Sequence, residues 1–216
     1  MLVIGAKGHA KEILEILYQQ NNIDNLFFYD GISENIPVLF FHQFEILRTE
    51  EEVKELFRMD SRFVLGVGSQ LIRYKLAQRF ITLGGILNSI ISPFAHVGHY
   101  NMVLENGLNI MTGVVITNDI FIGEGTLVNA NVTIHHDSII GKYCEISPHV
   151  SIAGHCTIGN FCSLGIGTIV LPHIKIGHNV VVGAGAVVTD HIPDNVMVAG
   201  IPAKIKKQLS VVNCDL

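Results

Sequence analysis

The sequence predicts a fold of two parts: a small α/β domain followed by a parallel β-helix, whose short strands wind into triangular coils. Two observations predict it. Positions 1–85 alternate apolar strand-like runs with amphipathic runs, and from residue 104 to 188 an aliphatic side chain returns at every sixth position. A period of six fits neither an α-helix nor a simple alternating strand, but it is typical of β-helix repeats. The aliphatic positions are Leu104, Ile110, Ile116, Ile122, Val128, Ile134, Ile140, Ile146, Ile152, Ile158, Leu164, Val170, Ile176, Val182 and Val188.

The repeat also assigns a position to each side chain. Three hexapeptides make one coil, so residues 18 apart should stack on neighbouring coils about 4.8 Å apart. Cys144, Cys156 and Cys162 each fall four residues after an aliphatic position, where the side chain points inward. They are therefore predicted to be buried thiols rather than metal ligands or disulfides. Because such a prism leaves its coil ends open, we expect a homo-oligomer.

The chain begins with a pattern that suits a nucleotide. An apolar strand runs from residue 2 to Gly5, a glycine turn follows, and an amphipathic helix begins near Lys11. A second strand ends at Asp30 and Gly31. Backbone N–H groups at a helix N-terminus bind phosphate, and an acidic residue at this position commonly contacts a ribose. His9 and Asp30 can equally be a helix-entry residue and a turn former.

The remainder of the first domain continues the alternation. A loop with a short strand near residues 38–40 leads to a charged helix around residues 49–58, then to a buried strand at 62–68. A helix follows with Ile72, Leu76 and Phe80 on one face. Such a βαβ order implies a small parallel sheet that binds ligands at the carboxyl ends of its strands. We predict a domain of residues 1–85 and a β-helix with a C-terminal tail over residues 86–216.

Composition excludes several classes of protein. A net charge of −5 with 14 lysines and arginines provides no basic stripe for nucleic acid. No apolar run approaches the roughly 20 residues of a membrane-spanning helix. The first five residues read as a strand entering a turn rather than as a signal peptide. We expect a cytoplasmic protein.

Three segments carry a resemblance to a known family. Residues 5–12 (GAKGHAKE), 134–141 (IHHDSIIG) and 200–204 (GIPAK) resemble those of bacterial hexapeptide-repeat sugar acetyltransferases. The most similar members are nucleotide-aminosugar N-acetyltransferases of the bacillosamine and perosamine type, and sialic acid O-acetyltransferases. The resemblance covers nearly the whole chain. It implies a Rossmann-like N-terminal domain that binds a nucleotide sugar, a left-handed β-helix that forms a homotrimer, and acetyl-CoA between neighbouring prisms, with no metal.

The resemblance also implies roles for individual residues. His136 matches the general base, Asp137 the carboxylate that polarises it, and Gly154 the backbone N–H that faces the thioester oxygen. Contacts to the CoA arm are implied at Ile166 and Ala184. Contacts to the nucleotide sugar are implied at Gly8, His9, Asp30, Gly31 and Gln70.

Two positions depart from the pattern. Glu145 occupies the place where many relatives carry a histidine that contacts CoA, so we retain it as a cofactor-binding position of altered chemistry. His135 replaces a carboxylate common in relatives, which predicts a differently tuned base.

Acetyl transfer needs a base, a place for the developing oxyanion and close alignment of the reactants. An imidazole, with an ordinary pKa near 6.5, can take a proton at neutral pH. With this chemistry, the resemblance implies direct transfer from acetyl-CoA to the 4-amine of a UDP-type deoxyaminosugar for surface glycan biosynthesis. O-acetylation of a free sialic-type sugar is the main alternative, and the first domain separates the two, because an N-acetyltransferase needs a nucleotide pocket and a free-sugar enzyme does not.

Two further classes stay open. Asp137, His155, His173 and His191 repeat once in every coil. Histidine is the commonest metal ligand, and γ-type carbonic anhydrases use the same β-helix to hold zinc between subunits, so a zinc enzyme of that type is one alternative. Single residues stacked about 4.8 Å apart converge poorly on one ion, which disfavours that alternative. A noncatalytic scaffold is disfavoured by the His136–Asp137 pair. Small residues that would let a pantetheine arm approach the wall also argue against a scaffold, although coil corners use glycine in any case. They are Gly165, Gly167, Gly183 and Gly185.

Overall fold

The computed structural model describes residues 1–212 and contains an α/β unit followed by a parallel β-helix. Cys214 and the end of the predicted tail lie outside the described residues. Within the described residues, no helix is both long enough and apolar enough to cross a membrane. The α/β unit consists of β1 (Leu2–Ile4), α1 (Gly8–Gln19), β2 (Phe27–Tyr29), β3 (Leu39–Phe40), β4 (Phe44–Leu47), α2 (Glu50–Phe57), β5 (Arg62–Leu65), α3 (Gln70–Thr82) and β6 (Ile86–Leu87).

The N-terminal sheet has the strand order β3-β4-β2-β1-β5-β6, and every neighbouring pair is parallel except β3 with β4. The central strands β1, β2 and β5 are apolar and almost wholly buried apart from the exposed Arg62 at the start of β5, as a sheet covered on both faces requires. Their carboxyl ends meet at one edge. The Rossmann-like arrangement predicted from the sequence is confirmed.

Two details of this unit differ from prediction. Residues 44–47 form strand β4 rather than loop, because Phe44 and Ile46 alternate with an exposed Glu45 and pack on β2. The predicted buried face of α3 was wrong in part: Ile72 is 51% exposed, while Arg73, Ala77 and Phe80 are buried. The helix turns Arg73 inward because it packs against the β-helix as well as the sheet.

The β-helix has three parallel faces. Face 1 is built from β7 (Ile90–Ile91), β10 (Asn109–Ile110), β13 (Leu127–Val128), β16 (Glu145–Ile146), β19 (Ser163–Leu164), β22 (Val181–Val182) and β24 (Val196–Ala199), with β25 (Lys204–Gln208) antiparallel at its end. Face 2 contains β8 (His96–Val97), β11 (Val115–Ile116), β14 (Thr133–Ile134), β17 (Ser151–Ile152), β20 (Ile169–Val170) and β23 (Val187–Val188). Face 3 contains β9 (Met102–Leu104), β12 (Ile120–Ile122), β15 (Ser138–Ile140), β18 (Thr157–Ile158) and β21 (Lys175–Ile176).

The register is the one that the repeat predicts. Asn109 pairs with Leu127, Leu127 with Glu145, and Glu145 with Ser163, each partner lying one coil further along the chain. The inward aliphatic side chains form one continuous core, which includes the three cysteines as free, buried thiols. That confirms their predicted burial.

The chain turns between faces at residues in the left-handed conformation. At the corner between faces 2 and 3 these residues are Asn101, Asp119, Asp137, His155 and His173, with φ of 51°, 57°, 60°, 58° and 64°. Asp, Asn and His tolerate this region better than most residues, because their short polar side chains bond locally. The corner therefore arranges successive polar side chains in a column on the outer surface.

The α/β unit packs on face 1. The wholly buried Arg73 donates from Nε to the carbonyl oxygen of Gly125 at 3.0 Å and from Nη1 to that of Val67 at 3.1 Å. Asn109 donates to the carbonyl oxygen of Leu65 at 2.6 Å. These bonds fix the strand ends of the sheet against the β-helix. The division into domains 1–85 and 86–216 stays a prediction.

Candidate active site

His136 lies at the corner between faces 2 and 3, between strands β14 and β15. Its Nδ1 lies 2.7 Å from Oδ2 of Asp137, and both side chains are about half exposed. The hydrogen bond from His136 holds the pKa of Asp137 below its ordinary value, so the carboxylate is ionised at neutral pH. This bond orients the ring and leaves Nε2 of His136 to exchange a proton.

Gly154 lies on the next coil, against the ring of His136. A Cβ atom at Gly154 would come within 2.7 Å of Cε1 and 2.9 Å of Nε2 of His136. Among the described residues, the Gly154 N–H has no hydrogen-bond partner, although the residue is buried. An unpaired N–H beside a basic ring can stabilise negative charge on a bound oxygen.

The histidine column has members with separate roles. His155 places Nε2 3.7 Å from Oδ2 of Asp137, and its ring stacks on His173 with centroids 4.8 Å apart. His191 instead accepts a hydrogen bond at Nδ1 from the Lys175 N–H at 3.1 Å. The close cluster therefore consists of His136, Asp137 and His155, from adjacent positions on two coils.

The residues implied in CoA binding lie elsewhere on the prism. Ile166 and Ala184 are exposed and stack one coil apart at the corner between faces 1 and 2. The Gly185 N–H donates to the Ile166 carbonyl at 2.8 Å, which joins the two coils at this corner. His136 occupies a different corner, so a single chain does not bring the two sets together.

Glu145 lies on face 1, beneath the α/β unit. Its Oε1 would lie 3.7 Å from a Cβ atom at Gly68, and the side chain is half-buried. Burial raises the pKa of Glu145, while the positive charge of Arg73 acts in the opposite direction. Burial also lowers the pKa of Arg73, to about 10. Glu145 pairs with Ser163, three residues before Ile166, and its contact with cofactor stays a prediction.

A cavity of about 240 Å³ opens at the carboxyl ends of β1, β2 and β5. Gly5, at φ 117°, forms part of its wall, and a Cβ atom there would lie 2.7 Å from the Gly66 carbonyl oxygen. Only glycine therefore fits at this turn. The remaining lining residues are Ile4, Ala6, Lys7, Tyr29, Asp30, Gly31, Ile32, Ser33, Gly66, Val67, Ile72, Leu76 and Arg79.

Asp30 and Gly31 are the predicted substrate residues that line the cavity. Oδ1 of Asp30 accepts the N–H groups of Ile32 and Ser33 at 3.0 and 2.9 Å, and Oδ2 accepts the Ser33 hydroxyl at 2.7 Å. Burial opposes ionisation, but these bonds prevail and lower the pKa of Asp30. Asp30 is therefore a turn former as well as a charged group at the cavity.

His9, Gly8 and Gln70 are not among the residues that line the cavity. The His9 ring lies between Oε2 of Glu12, 2.8 Å from Nδ1, and Nδ2 of Asn109, 3.0 Å from Nε2. Gly8 and Gln70 are the first residues of α1 and α3. His9 thus links the glycine turn to the β-helix.

Sequence reasoning missed the two positively charged residues of the cavity. Arg79, on α3, pairs with Oε1 of Glu50 through Nε at 2.6 Å, and this bond raises its pKa. Lys7, in the glycine turn, is exposed. A signal for Lys7 was present, since it lies within the predicted turn, whereas Arg79 follows only from the packing of α3.

Two family comparisons match this chain. The PglD N-terminal domain family matches residues 1–80, and the bacterial transferase hexapeptide family (six repeats) matches residues 119–154 and 155–190. Comparison with curated protein sequences gives no match.

Solved structures match almost the full chain. PerB from Caulobacter crescentus, in complex with CoA and GDP-perosamine, is 31% identical with a TM-score of 0.83, over 95% of this chain and 96% of that one. A mutant perosamine N-acetyltransferase from the same organism, with the same ligands, is 28% identical with a TM-score of 0.86, over 96% of each chain. The acetyltransferase domain of PglB from Neisseria gonorrhoeae, in complex with acetyl coenzyme A, is 27% identical with a TM-score of 0.85, over 95% of this chain and 98% of that one. The chain belongs to the bacterial hexapeptide-repeat sugar acetyltransferase family.

Proposed function

We propose that this protein transfers the acetyl group of acetyl-CoA to the 4-amino group of a nucleotide-linked deoxyaminosugar. The observation that carries the proposal is the His136–Asp137 pair, joined at 2.7 Å, with the unpaired N–H of Gly154 against the ring. Similarity to proteins solved with CoA and GDP-perosamine, or with acetyl coenzyme A, supports the same activity.

The proposed reaction is a direct transfer. Nε2 of His136 takes a proton from the 4-amine as its nitrogen attacks the thioester carbonyl, and Asp137 stabilises the imidazolium that forms. The Gly154 N–H donates to the oxyanion of the tetrahedral intermediate. Collapse breaks the C–S bond, and the proton passes from His136 to the departing CoA sulfur. Alignment of the two substrates supplies much of the remaining acceleration.

The cavity of the α/β unit suits the nucleotide. It lies at the strand ends where α/β sheets bind such ligands, and Lys7 adds a positive charge for a diphosphate, whereas the charge of Arg79 is paired with Glu50. We assign the nucleotide sugar to Gly8, His9, Asp30, Gly31 and Gln70. Asp30 and Gly31 support the assignment directly as lining residues, while His9 lies next to the same turn.

We further propose a homotrimer, which the family resemblance implies and which would bring the two half-sites together. His136 lies at the corner between faces 2 and 3, and Ile166 and Ala184 lie at the corner between faces 1 and 2. A neighbouring copy would bring one corner against the other, so that acetyl-CoA lies between two prisms. Glu145 is assigned to the cofactor side of this assembly, as its sequence position implies.

The two substrates also suggest where in the cell the enzyme acts and what its product is used for. Acetyl-CoA and nucleotide sugars are both cytoplasmic metabolites, and acetylated 4-amino sugars are precursors of surface glycans. We therefore propose a cytoplasmic enzyme of surface glycan biosynthesis.

The deciding experiment measures CoA thiol release from acetyl-CoA with UDP-, GDP- and dTDP-linked 4-amino sugars and with free sialic acid. We expect turnover on a nucleotide 4-amino sugar, and a fall in kcat/KM of about 10²- to 10⁴-fold in His136→Ala. His178→Ala is the matched control, because His178, like His136, is an exposed histidine two residues after a buried isoleucine, and it lies at the corner between faces 3 and 1. Turnover only on sialic acid would establish O-acetylation instead, and unchanged turnover in His136→Ala would disprove the base.

A further inference from the structure

We propose that His136, Asp137 and His155 form a binding site for a divalent transition metal such as Zn²⁺, and that the bound metal inhibits the enzyme. These are the only residues of 1–212 that group three histidine, cysteine or carboxylate ligand atoms closely, all within 4.8 Å of one another. The claim that a metal binds depends only on these three side chains, whereas the claim that the metal inhibits acetyl transfer rests on the proposed function.

The distances suit a shared ion. Oδ2 of Asp137 lies 2.7 Å from Nδ1 of His136 and 3.7 Å from Nε2 of His155. Ligand atoms around tetrahedral zinc lie about 3.3 Å apart, because each Zn–N or Zn–O bond is about 2.0–2.2 Å. The two observed distances fall on either side of that value, so small side-chain rotations would complete the set.

The cluster differs from a stack of residues along one column. His136 and Asp137 are neighbours in the chain, and His155 comes from the coil above, with its ring at 89° to that of His136. Left-handed φ at both Asp137 and His155 turns these side chains outward at the same corner. His155 is further supported by stacking on His173 at an interplanar angle of 6°.

A metal at this position would prevent His136 from acting as a base, because it determines which ring nitrogen carries the hydrogen. A neutral imidazole has one nitrogen with a free lone pair and one that carries hydrogen. If the metal takes the lone pair of Nδ1 of His136, the hydrogen must reside on Nε2, which can then accept no proton from the amine. The same ion would bind the Asp137 carboxylate and so remove its support for an imidazolium.

The ion acts as an inhibitor here rather than as a cofactor. The reaction proposed above needs the Nδ1–H of His136 hydrogen-bonded to Asp137, an arrangement that a metal at Nδ1 excludes. Two imidazoles and one carboxylate favour Zn²⁺, Ni²⁺ or Cu²⁺ over Mg²⁺ or Ca²⁺, which prefer oxygen ligands. We therefore expect inhibition by the first group and none by the second at equal concentration.

The test compares the chelator-treated full-length protein with His155→Asn. Asparagine tolerates the left-handed φ of this corner, so the backbone should be preserved. Zn²⁺ binding is followed by titration calorimetry, Co²⁺ binding by its visible absorption, and inhibition by CoA release. We expect one Zn²⁺ per chain, inhibition reversed by EDTA, and affinity at least about tenfold weaker in His155→Asn. His149→Asn, the same change at another corner, should bind as wild type does.

The outcomes separate the two claims. Equal Zn²⁺ affinity in wild type and His155→Asn, or no binding by wild type, would overturn the site. Binding that leaves turnover unchanged would overturn the inhibition. If no acceptor is turned over at all, the proposed function fails, but calorimetry and Co²⁺ absorption still decide the site.

Discussion

The ring of His136 rests directly on the backbone of Gly154, where a Cβ atom would come within 2.7 Å of Cε1. The contact joins two coils of the β-helix, since the residues are 18 apart in the chain. The contact and the bond to Asp137 together restrict where the imidazole can lie. The absence of a side chain at position 154 is therefore a requirement of the site.

Gly154→Ala should displace the His136 ring without disturbing the coil. The residue does not adopt a positive φ, so alanine fits the backbone and only the ring has to move. A displacement of about 1 Å at a catalytic group costs about 10²-fold in rate, and we expect a fall of that size in kcat. Steady-state kinetics measure it, and thermal unfolding checks that the fold is retained.

A double variant supplies the control. In His136→Ala the ring is gone, so adding Gly154→Ala should cost little more, and the two effects should be far from additive. Fully additive losses would mean that the added methyl group acts independently of the His136 ring, for instance by obstructing a substrate.

Mixed oligomers test whether the site is shared between copies. His136→Ala removes the base, and Ala184→Trp fills the groove at the other corner. Each variant alone should be inactive, but a reassembled equal mixture should regain about a quarter of wild-type activity, because random assembly leaves that share of interfaces intact. Native mass spectrometry would confirm the mixed trimers.

The matching control combines His136→Ala with a chain that carries both substitutions. No interface in that mixture holds a base, so activity should stay absent. Failure to recover activity in the first mixture, with mixed trimers present, would place both half-sites within one chain or make the proposed groove wrong.

The β-helix was predictable from the sequence because the length of its repeat fixes the strand register. A period of six fixes which side chains point inward, and a coil of three hexapeptides fixes which ones stack, as the pairing of Leu127 with Glu145 shows. The same arithmetic located the Asp137–His155 column. It could not show that Asp137 lies between His136 and His155, since that depends on the left-handed φ of the corner.

The α/β unit was predictable only in outline. Apolar periodicity on α3 marked Ile72 and Leu76 as core, yet Ile72 is exposed and both residues line the cavity. A cavity wall is apolar like a core, so pattern alone does not separate them. Arg73 is buried because carbonyl oxygens of Val67 and Gly125 receive its N–H groups, and such partners have no local signature.

Substitution of Asp30 separates its turn-forming role from ligand binding. Asp30→Asn keeps an oxygen for the N–H groups of Ile32 and Ser33, but removes the charge. Asp30→Ala removes both, and should lower the free energy of unfolding by about 1 kcal/mol. If Asp30 binds the nucleotide sugar, calorimetry should show about tenfold weaker binding in both variants. Wild-type affinity in Asp30→Asn would leave Asp30 as a turn former only.

Glu145→Gln should stabilise the protein at pH 7. Burial raises the pKa of Glu145, so the folded protein binds this proton more tightly than the unfolded chain does. The folded state therefore loses stability as pH rises from the unfolded pKa of about 4.3 through the folded pKa. Glutamine removes that penalty, so the gain should be present at pH 7 and vanish near pH 4, as urea unfolding at the two pH values would show.

Ser163→Ala is the control for this prediction, because Ser163 pairs with Glu145 in the next strand of face 1 and carries no charge. Its effect on unfolding should be the same at both pH values. Arg73 could produce the opposite result. Its buried guanidinium attracts the Glu145 carboxylate and so acts against the effect of burial on the pKa of Glu145. A loss of stability in Glu145→Gln at pH 7 would mean that this attraction outweighs burial, so that the two residues form a stabilising pair beneath the α/β unit.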